Sequence, residues 1–264
     1  MPSRLLIFLR TCALLTLVVA SFAACRGTGS RIEEGDPDVL YNRAKKSLDS
    51  SDYRNAIAIY EALDARYPFS DAARQARLDL IYAYYRNNEA ESAVDEAEQF
   101  IRENPTHPRV DYAYYIKGLV YFEQSPNFLE RWFNVDMSER PPSDTRQSFA
   151  AFQTIVQQHP KSEYAHDSRR RMLFLRNRLA DYEIHVAEYY MRRGAYVGAA
   201  SRAKFTIENY DGAPAVRKAL EIMTDAYRRL GLDDLAEQSA SVYRTNFPDT
   251  AERVDKKKSW WKFW

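Results

Sequence analysis

Glycine is scarce in this chain, at eight residues in 264. That leaves no glycine-rich phosphate loop and no GxSxG nucleophile elbow, and it argues against a sandwich or barrel. There are two cysteines, Cys12 and Cys25, both near the N-terminus, so the remainder can form neither a disulfide nor a thiolate metal site. The four histidines, His107, His159, His166 and His185, show no metal-ligand spacing such as HExxH. His107, between Thr106 and Pro108, reads as a structural hydrogen-bonder. Charge of one sign is also missing: 38 Lys plus Arg stand against 37 Asp plus Glu. No global basic field would recruit nucleic acid. These absences leave little room for an enzyme, and no catalytic residues are assigned.

The N-terminus carries an address. Arg4 and Arg10 precede an apolar run, Cys12 to Ala24, too short to be a comfortable membrane span. This is a secretory signal over residues 1–24. Its end, Phe22-Ala23-Ala24-Cys25, resembles the bacterial lipoprotein cleavage box, with Phe22 where leucine is usual. That resemblance implies that Cys25 becomes the first mature residue and carries three acyl chains. Arg26, rather than Asp, then implies export to the outer membrane. Each buried methylene adds about 0.8 kcal/mol, so several chains anchor stably. The plainer alternative is an ordinary signal peptide with a chance cysteine. Residues 25–35, rich in Gly, Thr, Ser and charge, read as a flexible tether.

What is abundant is Ala, Leu, Arg, Glu and Tyr, at helical spacing. In Arg74 to Pro105, apolar positions recur at Leu78, Ile81, Tyr84 and Tyr85, and Asn87-Asn88-Glu89 breaks the run. A second run carries Ala93, Ala97, Phe100 and Ile101. This is a helix–turn–helix hairpin that resembles a tetratricopeptide (TPR) unit, a repeat of about 34 residues. Ala93 and Pro105 lie 37 residues after Ala56 and Pro68, so two markers keep one offset. A single hairpin cannot bury its own apolar face and needs neighbours like itself.

The spacing predicts an all-α superhelical array of about five TPR-like repeats over residues 36–248. They fall near 37–68, 74–105, 108–160, 162–212 and 214–248. Asp36 caps the first helix, with Pro37 at its first position. An insertion at 125–143 interrupts the third repeat and holds Phe128, Leu129, Trp132 and Phe133, which fold back on a core or meet a partner. The first helix of the fourth repeat is unusually long, uninterrupted from Glu163 to Arg193. Residues 249–264 form a basic and aromatic tail.

Several stretches together resemble one family. They are Ala62 to Phe69 (ALDARYPF), Leu78 to Tyr85 (LDLIYAYY), Asn104 to Pro108 (NPTHP) and Leu179 to Glu183 (LADYE) with Val186 to Tyr190 (VAEYY). With the cleavage box and the insertion, they are similar to the BamD lipoproteins of the outer-membrane β-barrel assembly machinery. The resemblance covers about Asp36 to Pro248. It implies a non-catalytic periplasmic scaffold whose first repeats receive unfolded barrel proteins through their C-terminal signal. It also implies partners: the barrel subunit with periplasmic domains, other assembly lipoproteins, and the membrane through the lipid. No cofactor is expected beyond the covalent lipid on Cys25. Arg202, matching a family arginine at the junction with the barrel subunit, is implied as an ion-pairing contact. Its alternative is a solvated surface arginine.

First helices of a TPR array line a groove. Groove positions by spacing are Tyr41, Lys45, Tyr82, Tyr85, Arg86, Tyr112 and Tyr115. Tyrosines offer wide apolar area with a hydroxyl, and Arg86 suits a carboxylate. A barrel protein's last strand, ending in an aromatic residue and a free carboxylate, would suit such a groove. Otherwise, about half of these tyrosines simply pack between helices. The tail combines Lys256, Lys257, Lys258 and Lys262 with Trp260, Trp261, Phe263 and Trp264. Lysines with interfacial aromatics suit a membrane surface, although a disordered end would read the same. The competing functional readings are a TPR lipoprotein serving pilus assembly or cell-wall synthesis, and a lipoprotein hydrolase for whose catalytic domain the chain has no room.

Overall fold

A computed structural model describes residues 36–124 and 142–248. Cys25, the signal segment, the four large apolar residues of the insertion and the tail tryptophans lie outside the described residues. Ten helices are present among those described, and no strand. They are α1 Pro37–Asp49, α2 Tyr53–Arg66, α3 Asp71–Arg86, α4 Ala90–Glu103, α5 Val110–Gln124, α6 Ser143–Gln158, α7 Ala165–Arg192, α8 Tyr196–Asn209, α9 Ala215–Arg229 and α10 Asp233–Asn246. They pair as five TPR-like hairpins in chain order, and each helix packs on the next.

Local chemistry sets the boundaries. The Asp36 carboxylate accepts from Asp38 N at 3.0 Å, and Pro37 opens α1. Ser70 Oγ accepts from Ala73 N at 3.0 Å, which starts α3 at Asp71, three residues before the expected Arg74. α6 begins at Ser143, inside the span expected for the insertion. Four hairpins turn in the same way. Ser51, Asn88, Gly194 and Gly231 take positive φ. The following N–H groups, of Asp52, Glu89, Ala195 and Leu232, donate back to carbonyls five residues earlier at 2.9–3.0 Å. This is the Schellman closure, which satisfies the last carbonyls of a helix. The five second helices also end alike, at Tyr67, Asn104, His159, Tyr210 and Phe247, with φ between −132° and −126°. Pro follows four of the five, and the residue before proline avoids the helical region.

Packing follows from small residues at the crossings. Ala56, Ala93, Ser148, Ala199 and Ala236 are all buried. The next residue is Ile57, Val94, Phe149 or Ala200 in the first four hairpins but Glu237 in the fifth. Glu237 pairs with Arg244, so at the end of the array a charge stands where the earlier hairpins carry an apolar residue. First helices also touch each other: α1 meets α3, α3 meets α5, and α7 meets α9. They line one face of the array. The 28-residue α7 joins its halves, giving Leu175 to the middle core and Ala180, Ile184 and Ala187 to the last one.

Candidate functional site

The face lined by α1, α3 and the start of α5 holds a groove of about 530 Å3. On α3, Gln75, Asp79, Tyr82 and Arg86 stand at steps of four, three and four residues, which align on one side of a helix. From α1 come Tyr41 and Lys45, four residues apart, and from the third hairpin Arg109 and Tyr112. Thus Tyr41, Lys45, Tyr82, Arg86 and Tyr112 of the expected set meet in one concavity.

Tyr85 and Tyr115 do not line it. A three-residue step from Tyr82 or Tyr112 turns the side chain about 60° around the helix axis, toward the next helix. The Tyr85 hydroxyl donates to Glu123 at the end of α5, at 2.5 Å. The Tyr115 ring stacks on Tyr164 with centroids 4.5 Å apart, and its hydroxyl donates to Asp167 Oδ2 at 2.9 Å. Both tyrosines tie helices together, as the packing alternative holds.

Charge in the groove divides into held and open groups. Tyr41 Oη and, from α2, Tyr60 Oη donate to the same oxygen of Asp79, at 2.8 and 3.3 Å. Burial, together with that carboxylate, raises both phenol pKa values well above the ordinary one. They therefore act as neutral donors, and Asp79 is fixed as part of the wall. Lys45 pairs with Asp49 at 3.0 Å. Two guanidinium groups are different. Arg86 donates to the Tyr82 hydroxyl at 2.6 Å and lies 5.2 Å from the Tyr53 ring centroid. Arg109 lies 5.0 Å from the Tyr112 ring. Neither forms an ion pair among the described residues. Stacking on aromatic faces positions each cation, and the hydroxyls of Tyr82 and Tyr164 rather than carboxylates meet the two guanidinium groups.

Asp79, Arg109 and Tyr53 line the groove but were not among the expected groove residues. The signal for Asp79 was its place on the Gln75–Arg86 stripe. Arg109 precedes its helix and gave no periodic signal.

Arg202, on α8, donates from Nη1 to Glu183 Oε2 at 2.8 Å. Glu183 is the buried last residue of the LADYE stretch, and Arg146 of α6 reaches its other oxygen at 3.7 Å. Arg202 thus holds an internal partner while remaining half exposed.

Among the described residues no group of three His, Cys, Asp or Glu is set to hold a metal, and no helix is long and apolar enough to cross a membrane. The sequence profile of a family described as outer membrane lipoprotein, YfiO, matches residues 33–242. The outer membrane protein assembly factor BamD of Vibrio cholerae serotype O1 is 38% identical over 230 residues, covering 87% of this chain and 95% of that protein. The BamD of Neisseria meningitidis serogroup A is 41% identical over 230 residues, covering 85% of this chain and 86% of that protein. That of Neisseria gonorrhoeae is 39% identical over 253 residues, covering 92% and 94%.

Proposed function

The chain belongs to the YfiO family of outer membrane lipoproteins, and from that premise we propose that it is a non-enzymatic scaffold and substrate-receptor subunit of the machinery that assembles outer-membrane β-barrel proteins. The BamD assembly factors it resembles cover most of its length. Acylation at Cys25 anchors it in the outer membrane, with the repeats in the periplasm. The barrel subunit meets the C-terminal repeats near Arg202, and other assembly lipoproteins pack alongside.

The observation that carries the receptor role is the pair Arg86 and Arg109, stacked on tyrosines above one groove with no carboxylate of their own. An unfolded barrel protein ending in an aromatic residue and a free carboxylate matches it: the ring packs on Tyr41, Tyr82 or Tyr112, and the carboxylate takes a guanidinium fork.

The test uses a synthetic last-strand peptide, with and without C-terminal amidation, and fluorescence anisotropy. A charge-assisted hydrogen bond contributes about 1.5–3 kcal/mol, so Arg86→Ala with Arg109→Ala should weaken the free-acid peptide at least about tenfold. Amidation should cost the parent chain a similar factor and the double variant little. If the double variant binds both peptides as the parent does, the groove is not the receptor. Co-purification of a large barrel protein with tandem periplasmic domains tests the scaffold role separately.

A further inference from the structure

A second groove occurs 143 residues further along the array. The positive-φ turn residues Ser51 and Asn88 recur at that offset as Gly194 and Gly231, which fixes the alignment of the two places. The groove lies between α7 and α9 and encloses about 440 Å3. Its residues invert the first groove's chemistry. Glu188 stands where Lys45 does, Arg192 where Asp49 does, Ile222 where Asp79 does, and Asp225 where Tyr82 does. The first groove is walled by tyrosines, whereas no aromatic side chain lines the second. Met191 and Ile222 supply apolar area, and Glu188, Glu221 and Asp225 outnumber Arg192 and Lys218. Lys218 is shared between Glu188 and Glu221 at 3.6 and 3.7 Å. Such long exposed contacts contribute little and are readily exchanged.

The chain leaves its last helix at this rim. Tyr243, in the final turn of α10, donates from its hydroxyl to Glu221 Oε1 at 3.2 Å. Nine residues beyond Phe247 comes Lys256, the first of three consecutive lysines, followed by Trp260, Trp261, Lys262, Phe263 and Trp264. Nine residues span up to about 30 Å when extended, more than the width of a two-helix groove. The missing aromatic wall and the surplus carboxylates are what Lys256–Trp264 can complement.

We propose that Lys256–Trp264 of this chain occupies the α7–α9 groove, with lysines against Glu188 and Glu221 and a tryptophan over Met191 and Ile222. Tethered so closely, the segment is present at an effective concentration in the millimolar range.

The test uses the full mature-length chain with Cys25→Ser, which removes the lipid and the remaining thiol. Paired Glu188→Cys and Lys258→Cys should form an intramolecular disulfide under mild oxidation. The yield should exceed by about tenfold that of Lys45→Cys with Lys258→Cys, which reports chance encounter across the array. In a Trp132→Phe background only the tail tryptophans emit. Glu188→Lys with Glu221→Lys should then red-shift the emission, and converting Lys256, Lys257 and Lys258 to Glu should restore it. Equal crosslinking in the two pairs, with emission already that of water-exposed tryptophan, overturns the proposal. So does emission that shifts to the blue only when phosphatidylglycerol vesicles are added, which would give the segment to the membrane. Circular dichroism of each variant separates these results from misfolding.

Discussion

The carboxylate of Glu183 is buried, and the guanidinium that neutralises it, on Arg202, is not: Nη1 stands 2.8 Å from Oε2 while the arginine side chain keeps 42% of its surface exposed. The pair links α7 to α8, and Arg146 at 3.7 Å extends it to α6. Three helices in two hairpins therefore converge on one buried charge.

Removing one member of such a pair strands the other. Arg202→Ala should cost about 3 kcal/mol, the lower end for breaking a buried pair, because Arg146 remains in reach. Glu183→Gln should cost less, since the freed arginine can turn to water. In the Glu183→Gln background, Arg202→Ala should cost under about 1 kcal/mol. Urea melts of the four chains give the coupling directly. Equal costs of Arg202→Ala in both backgrounds would mean that the two residues act independently.

The third hairpin depends on a missing side chain. A Cβ placed at Gly118 would lie 2.7 Å from Phe152 Cε1 and 2.9 Å from Cζ. Phe152 is itself fully buried, and Ser148 Oγ donates to the Gly118 carbonyl at 2.9 Å. The helices α5 and α6 thus meet ring against backbone. Alanine favours a helix over glycine by about 1 kcal/mol, yet overpacking costs about 1–3 kcal/mol. Gly118→Ala should therefore destabilise, and Phe152→Leu should recover part of the loss in that background while destabilising the parent. Thermal melts of both singles and the double check this. A stabilising Gly118→Ala would show that the ring shifts freely.

The hairpins were legible because each repeats one apolar spacing and most end at a proline, as Pro68 and Pro105 do. Their turns were legible as breaks, as at Asn87-Asn88-Glu89, but the conformation that they share was not. Ser51 and Asn88 adopt the same left-handed conformation as Gly194 and Gly231, and only the backbone makes that equivalence visible. In the groove, Tyr41, Lys45, Tyr82, Arg86 and Tyr112 could be read from helical stripes. Tyr85 and Tyr115 were misplaced because a three-residue step keeps a residue near a stripe but turns it toward the neighbouring helix. Asp79 went unnoticed since a carboxylate on a helix reads as solvated until its two tyrosine donors are seen. The Glu183 stretch was recognisable as a signature, but its burial and its tie to Arg202 come from packing across three helices.

Asp167, in the first turn of α7, supplies a prediction in pH. Its carboxylate accepts from Tyr115 of α5 at 2.9 Å, from Arg170 at 3.0 Å and from Arg171. Burial pushes its pKa upward, but the hydrogen bonds from Arg171 and Tyr115 outweigh burial and hold it below the ordinary aspartate value. A carboxylate whose folded pKa is depressed stabilises the fold above the unfolded pKa, about 3.9, and loses that contribution as pH falls through the folded value. At pH 7 Asp167→Asn should therefore cost about 2 kcal/mol, as charge-assisted hydrogen bonds do. As pH falls below the unfolded pKa the gap between parent and variant should close, because the unfolded chain takes up a proton that the folded carboxylate resists. Tyr115→Phe should remove one donor, raise the Asp167 pKa and move the loss of stability to higher pH. Urea denaturation at pH 7, 5, 4 and 3 follows all three chains. A gap that stays constant across that range would mean that Asp167 contributes through shape and not through charge.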